Sequence, residues 1–324
     1  MTDTIRWGII GCGDVTEVKS GPALQKAEGS ELVAVMRRNG ALAEDYARRH
    51  QVPRWYDQAE ALIHDPEVNA VYVATPPAFH REYALMAARA GKAVYVEKPM
   101  AMNHDECLEM IEACEAAHVP LYVAYYRRGL PRFNQIKQLL DSGAIGDVRL
   151  VQTTQLQTLR PADGQAVPWR LQPELSGGGL FVDLASHTLD ILDYLLGPLG
   201  QVKGFAVNQS RQYRVEDLVT TTYAFESGVI GMGAWCFNAY KRQDLNEIIG
   251  SKGKLSFSTF GDDLRIELAD GGVQQFTVAN PAHIQQPLIQ LMVNELRGDG
   301  KCPSTGRTAA RTSRVMDDLI RDFY

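Results

Sequence analysis

The sequence predicts an α/β protein with two domains: an N-terminal Rossmann, doubly wound parallel sheet over residues 1–123, and a C-terminal α/β domain over 124–324 with a large open, mainly antiparallel sheet. Three observations predict it. Short β-branched runs alternate with segments of helical period through the first part of the chain. A glycine pair, Gly11 and Gly13, stands at the exit of the first run. From Gln201 to about Val278 the apolar runs become short, closely spaced and joined by turn residues.

In order, the predicted N-terminal strands are "IRWGIIG", "ELVAVMRR", "AVYVAT", "KAVYVEK" and "PLYVAYY". Between them, "GALAEDYARRH", "QAEALIHD", "HREYALMAARAG" and "NHDECLEMIEACEAAH" repeat Ala, Leu and Met three or four apart, the period of a helix with one apolar face. Gly91 and Pro120 stand where helices should stop. Beyond residue 124 come a helix, "RFNQIKQLLDSG", a strand, "DVRLVQTTQLQ", and a Pro/Gly-rich excursion, "RPADGQAVPWRLQPELSGGG". A long helix, "LFVDLASHTLDILDYLLG", leads into the second sheet. The chain closes with "PLIQLMVNELRG" and "RTAARTSRVMDDLIRDFY", helices able to pack back on the first domain.

Composition narrows the function. With 324 residues, 45% hydrophobic and 22% charged, the chain is long enough for two ordinary cores. A formal net charge of −6 argues against a nucleic-acid partner, which calls for a basic surplus. No apolar run approaches the roughly 20 residues of a membrane span, and the N-terminus has glycines where a signal peptide would be apolar. The five cysteines are scattered without a C-x-x-C pair, so neither a disulfide framework nor a metal site is indicated, and a reducing cytoplasm is the expected location.

"WGIIGCGDVT" puts Gly11 and Gly13 in the first two places of the dinucleotide fingerprint G-x-G-x-x-G, with Thr16 in the third. The first glycine allows the tight turn and the second the close approach of backbone to a pyrophosphate, with Asp14 and Val15 opening the helix beneath it. A plain turn is the bland alternative. An NAD reader carries an acid at the end of the second strand; "VAVMRRNG" has Arg37 and Arg38 there. A guanidinium binds a 2′-phosphate in two-pronged fashion and stacks on adenine, so NADP is expected over NAD unless the arginines are only a solvated edge.

Ligands of an open parallel sheet bind beyond the carboxyl ends of its strands. Thr75, Pro76 and Pro77 in "ATPPAFH" stand at one such end, with His80 following at a helix start, where it is either a cofactor neighbour or structural. Glu97 and Lys98 stand at another, in "VYVEKPM". Lys98 is then a hydrogen-bond or proton donor to a substrate oxygen; the alternative is a surface lysine paired with Glu97. In the long helix, Gly177, Gly178 and Gly179 permit close approach of a ligand or backbone, and Asp183 and His187, four apart, share a face as a carboxylate and an imidazole.

Taken together, "ATPPAFH", "EKP" and "GGGLFVDLASHTLD" in that order resemble the Gfo/Idh/MocA family, the glucose-fructose oxidoreductase and inositol dehydrogenase group, and the likeness spans essentially the whole chain. The resemblance implies that Lys98 touches substrate and nicotinamide, that His187 is the acid/base with Asp183 beside it, and that the open sheet mediates a homodimer or homotetramer. Ala185 departs from the glycine many members carry between the acid and the histidine. The missing acid after the second strand is similar to the NADP-using branches, including the anhydrofructose reductases and dimeric dihydrodiol dehydrogenases.

Further substrate-binding candidates are Tyr125 and Arg127 in "AYYRRG" and Trp169 and Arg170 in "VPWR", whose alternative role is to close a domain interface. The expected activity is hydride transfer, NADP(H)-dependent, at a secondary alcohol or carbonyl of a sugar, polyol or related diol. Two rivals stand beside it: an NAD(P) enzyme with no net redox change, of glycosidase or epimerase type, and a non-catalytic NADP sensor.

Overall fold

A computed structural model describes residues 4–159 and 166–324, so residues 160–165 of the expected Pro/Gly-rich excursion lie outside the described residues. The chain divides into two compact units, one running to Leu130 and completed by Pro281–Ala310, the other made of Pro131–Asn280 and Arg311–Tyr324.

The first unit runs β1 (Ile5–Ile10), α1 (Gly21–Lys26), β2 (Ser30–Met36), α2 (Gly40–His50), β3 (Arg54–Tyr56), α3 (Ala59–Ile63), β4 (Ala70–Val73), α4 (His80–Arg89), β5 (Ala93–Val96), α5 (His104–Ala116) and β6 (Leu121–Val123). The strands form one sheet in the order β3-β2-β1-β4-β5-β6, parallel at every pairing. The order reverses between β1 and β4, which opens a crevice at the carboxyl ends of those two strands. Both faces are covered, so the strands read as continuous apolar runs rather than alternating ones. All four residues of β4 are fully buried, and each buried valine contributes roughly 1.5–3 kcal/mol relative to exposure.

Helix starts follow capping chemistry. Asn39 accepts from the Leu42 N–H ahead of α2, and Asn103 from the Glu106 N–H ahead of α5, whose first turn also holds Asp105 and Glu106. The short strand β3, "RWY", was not among the expected strands; three residues beside a polar loop give too brief a pattern to register.

The second unit contains α6 (Pro131–Asp141), β7 (Val148–Leu156), α7 (Pro173–Ser176), α8 (Ser186–Leu196), β8 (Leu199–Val207), β9 (Leu218–Phe225), β10 (Ile230–Cys236), β11 (Gln243–Gly250), β12 (Gly253–Phe257), β13 (Asp263–Leu268) and β14 (Val273–Thr277). Its eight strands lie in the order β14-β13-β12-β11-β7-β10-β9-β8. The β7/β10 pair is parallel and the other pairings are antiparallel. Burial alternates along β7, β9 and β10, the pattern of a sheet packed on one face. Phe181 and Trp235 meet edge to face on the packed side, while Phe205, Ile230 and Met232 are exposed.

The chain then forms α9 (Gln286–Leu296) in the first unit and α10 (Gly306–Ile320). The first unit extends past residue 123 because the turn Tyr126–Gly129 packs against α9: a Cβ on Gly129 would lie 2.8 Å from the Leu288 nitrogen.

Candidate active site

The crevice between β1 and β4 is built from backbone. Gly11 has φ +91°, open to glycine at little cost, and its N–H and that of Cys12 donate to the Met36 carbonyl at 2.9 and 3.1 Å. A side chain at Gly11 would meet Thr75 Cγ2 at 2.8 Å. Gly13 differs. An added Cβ there would find only the Gly11 carbonyl oxygen, at 3.9 Å, so the space above it is open. Thr16, in the third glycine's place, is fully buried and donates its hydroxyl to the Gly13 carbonyl at 2.7 Å. The tight packing expected at that place falls instead on Gly21, where a Cβ would lie 2.3 Å from both the Thr16 carbonyl oxygen and the Tyr46 hydroxyl. Asp14 is exposed and Val15 half-buried at the start of the turn that follows, a π-helical segment over Thr16–Ser20.

Arg37 and Arg38 are both exposed just past β2. The Arg38 guanidinium lies 5.2 Å from the centre of the Phe79 ring, which stacks on Tyr83. Among the described residues the Thr75 hydroxyl is buried without a hydrogen-bond partner, Pro76 is half-buried and Pro77 is buried. An open glycine, an orphaned hydroxyl and exposed guanidinium groups on one sheet edge fit the phosphates and ribose of a dinucleotide.

His80 is placed otherwise than as a nucleotide contact. Its ring is fully buried, with Nε2 2.7 Å from the Thr75 carbonyl oxygen and Nδ1 3.0 Å from that of Pro99 and 3.3 Å from that of Met100. Burial lowers its pKa, opposed by the carbonyls around the ring. The residue therefore ties the loop after β4 to the loop after β5.

Glu97 also points inward. Its carboxylate accepts from the Tyr72 hydroxyl at 2.6 Å, from Gln285 Nε2 at 2.7 Å and from the Lys98 backbone N–H at 3.1 Å. Tyr95 donates to the Gln285 side-chain amide oxygen Oε1 at 2.7 Å and stacks on Tyr72. Burial, then the Glu97 charge, push both tyrosines well above their usual pKa. Lys98 is half-buried directly after this network, and the Lys98–Pro99 peptide is cis. Tyr125 and Arg127 are both buried, the guanidinium 4.9 Å from the Tyr126 ring centre.

In the second unit the expected long helix runs unbroken, with a π-helical turn over Phe181–Ala185, carrying Asp183, leading directly into α8, which carries His187 as its second residue. Such π-turns are uncommon and concentrate at functional sites. Arg170 Nε lies 3.4 Å from Asp183 Oδ2, and the same guanidinium lies 4.3 Å from the centre of the Trp169 ring. Trp169, Arg170 and Asp183 are thus brought together. His187 is buried and meets Phe260 edge to face at 5.7 Å. Phe260 is held there because its own N–H and that of Thr259 donate to the Asp244 carboxylate at 2.8 and 3.0 Å.

The three glycines serve the protein's own packing rather than a ligand's approach. Gly177 ends α7 at φ +76°. A Cβ on Gly178 would lie 2.4 Å from Val182, and one on Gly179 would lie 2.8 Å from Val215 and 3.0 Å from Glu216.

Residues 5–125 match the model of an oxidoreductase family with an NAD-binding Rossmann fold, and residues 133–256 the GFO/IDH/MocA C-terminal domain. The chain is 41% identical over 98% of its length, and 98% of the relative's, to "Oxidoreductase P35" of Formosa agariphila. This chain belongs to the GFO/IDH/MocA family. It is also similar to the 1,5-anhydro-D-fructose reductase of Ensifer adhaerens, 28% identical over 93% of this chain and 91% of the relative. In fold it is similar to levoglucosan dehydrogenase solved with NADH and levoglucosan, with TM-score 0.88 at 24% identity, covering 98% and 96% of the two chains. As a GFO/IDH/MocA protein it is an oxidoreductase with an NAD(P)-binding Rossmann domain.

Glu216, Phe260 and Gln285 were not singled out in the sequence. An acid just before a strand, "VEDLV", was a usable signal for Glu216. Phe260 in a turn and Gln285 in a polar loop carry none.

Proposed function

We propose that this GFO/IDH/MocA protein is an NADP(H)-dependent oxidoreductase acting on a secondary alcohol or carbonyl of a sugar, polyol or related diol. The observation that carries the reading is the edge of the first sheet, where the open Gly13 loop and the orphaned Thr75 hydroxyl flank the point of strand reversal, with Lys98 after the next strand. Gly13, Thr75 and the first turn after β1 hold the cofactor. Arg37 and Arg38 take its 2′-phosphate and adenine. A bound nicotinamide supplies or accepts the hydride.

Lys98 hydrogen-bonds the reacting oxygen. His187 accepts the hydroxyl proton in oxidation and returns one in reduction, with Asp183 favouring the imidazolium and Arg170 orienting Asp183. Trp169 offers an aromatic face to the substrate. Lys98→Met and His187→Ala should each lower turnover by about 10²–10⁴-fold while nucleotide binding survives. Wild-type turnover in both would remove these assignments.

A second reading of the cofactor, NAD in place of NADP, is favoured by the NADH held by levoglucosan dehydrogenase. Fluorescence titrations with NADPH and NADH separate the two: a clear NADPH preference supports the arginine reading, and an NADH preference leaves the oxidoreductase but removes the role of Arg37 and Arg38.

The exposed apolar face with Phe205, Ile230 and Met232 is the interface of a homodimer or homotetramer, and light scattering of a monomer at micromolar concentration would refute it. The cysteines that are described all stand as free thiols, as they would in a reducing cytoplasm. Among the described residues no helix is long and apolar enough to cross a membrane.

A further inference from the structure

Glu216 is 1% exposed, lies just before β9, and takes no part in the chemistry proposed above. Its Oε1 accepts from the Gly179 N–H at 2.8 Å and its Oε2 from the Tyr324 hydroxyl at 2.6 Å. The Gly179 N–H stands at the entry of the helical segment that carries Asp183 and His187, just ahead of its N-cap Leu180, where the chain's N–H groups have no acceptor within the helix. A carboxylate supplied from elsewhere in the chain satisfies this one and places negative charge at the positive end of the helix. The Gly179 peptide is gripped on both sides, because the Asp183 N–H donates to the Gly179 carbonyl at 3.2 Å. Gly179 and the Glu216 strand lead are fitted to each other, since any side chain at 179 would strike Val215.

We infer that Glu216 is a positioning residue for the acid/base helix: a buried carboxylate cap, locked by the Tyr324 hydroxyl, that fixes where the π-turn holds Asp183 and so where His187 stands. The inference rests on the reading of Asp183 and His187 as the proton-handling pair, and it adds two residues, 216 and 324, to those that determine the rate.

The test compares Glu216→Gln, Tyr324→Phe and His187→Ala as full-length proteins. Imidazole ¹H–¹⁵N correlation spectra of the wild type contain the seven histidines, and loss of one signal in His187→Ala assigns His187. The inference expects the His187 signal to move in both Glu216→Gln and Tyr324→Phe, while the other ring signals and NADPH and NADH binding stay as in the wild type. On whichever sugar alcohol a screen with NADP⁺ and NAD⁺ selects, kcat should fall about tenfold in Glu216→Gln with KM within about twofold, the mark of lost alignment rather than lost binding. An unmoved His187 signal in both variants overturns the inference. Should Glu216→Gln fail to fold, Tyr324→Phe alone decides. A moved signal together with undiminished turnover in His187→Ala leaves the positioning intact and brings down the proton-transfer reading instead.

Discussion

The side-chain amide of Gln285 donates to Glu97 at 2.7 Å across 188 residues of chain. The carboxylate sits at the end of β5, and the amide arrives on the segment that returns just ahead of α9. With the Tyr72 hydroxyl on the same oxygen, the pair forms a buried polar knot beneath Lys98. Replacing Glu97 with Ala leaves two buried donors unsatisfied, at about 1–3 kcal/mol for each. We expect urea denaturation to show a loss of about 2–5 kcal/mol, with Glu97→Gln costing less. A loss under about 0.5 kcal/mol in Glu97→Ala would show the knot to be dispensable.

Two glycines of one loop should respond differently. Gly13→Ala places a methyl in open space, so stability should change by less than about 0.5 kcal/mol, while affinity for NADPH and NADH falls at least about tenfold as the methyl occupies the phosphate's place. Gly11→Ala combines φ +91° with a 2.8 Å clash against Thr75, and both stability and binding should fall. Calorimetry of the two variants, with and without nucleotide, checks this; equal melting losses would contradict it.

Glu17, in the π-turn after the glycine loop, is held down to about 2 from its ordinary 4.5, chiefly by hydrogen bonds from Arg49, with His50 adding to it. A depressed carboxylate contributes stability that is present above its unfolded-state pKa and is lost as pH falls toward its folded one. The advantage of wild type over Glu17→Gln should therefore be full above about pH 5 and shrink steadily toward about pH 2. The side chain is partly solvated, so the total is small. Denaturation series at several pH values would expose a pH-independent difference, which would rule the pair out as the cause.

Phe260 is 39% exposed and held edge-on to His187. Phe260→Ala should raise KM for a ring-shaped substrate by about 3–10-fold while nucleotide affinity stays constant, since an aromatic contact of this kind is worth about 0.5–1.5 kcal/mol. Initial-rate kinetics on the selected sugar measure it, and an unchanged KM would take Phe260 out of substrate recognition.

Much of this architecture was legible in the residues. Uninterrupted buried runs such as "AVYV" marked the parallel strands, and the alternation in "LVTTTYAF" marked a sheet with one wet face. What escaped depends on contacts distant in sequence. Glu97 belongs to a motif that reads as ligand-facing, and His80 reads as either a cofactor neighbour or structural; both turn inward, onto partners from elsewhere in the unit, Gln285 and the Pro99 carbonyl. The glycines before Asp183 were expected to admit a ligand or a stretch of backbone, and the body that fills the room beside Gly179 is the chain's own Val215–Glu216 lead. Local pattern reports how a residue is exposed along its own element and cannot report which other segment comes to cover it.

The return of Pro281–Ala310 to the first unit also sets an order of assembly during synthesis. A nascent chain that has emerged only to residue 280 carries all six strands of the Rossmann sheet, yet Glu97 still lacks Gln285 and the turn at Gly129 lacks α9. The stretch Pro131–Asn280, which makes up most of the second unit, thus lies between the two parts of the first, and the ribosome must deliver it before the nucleotide-binding half can close.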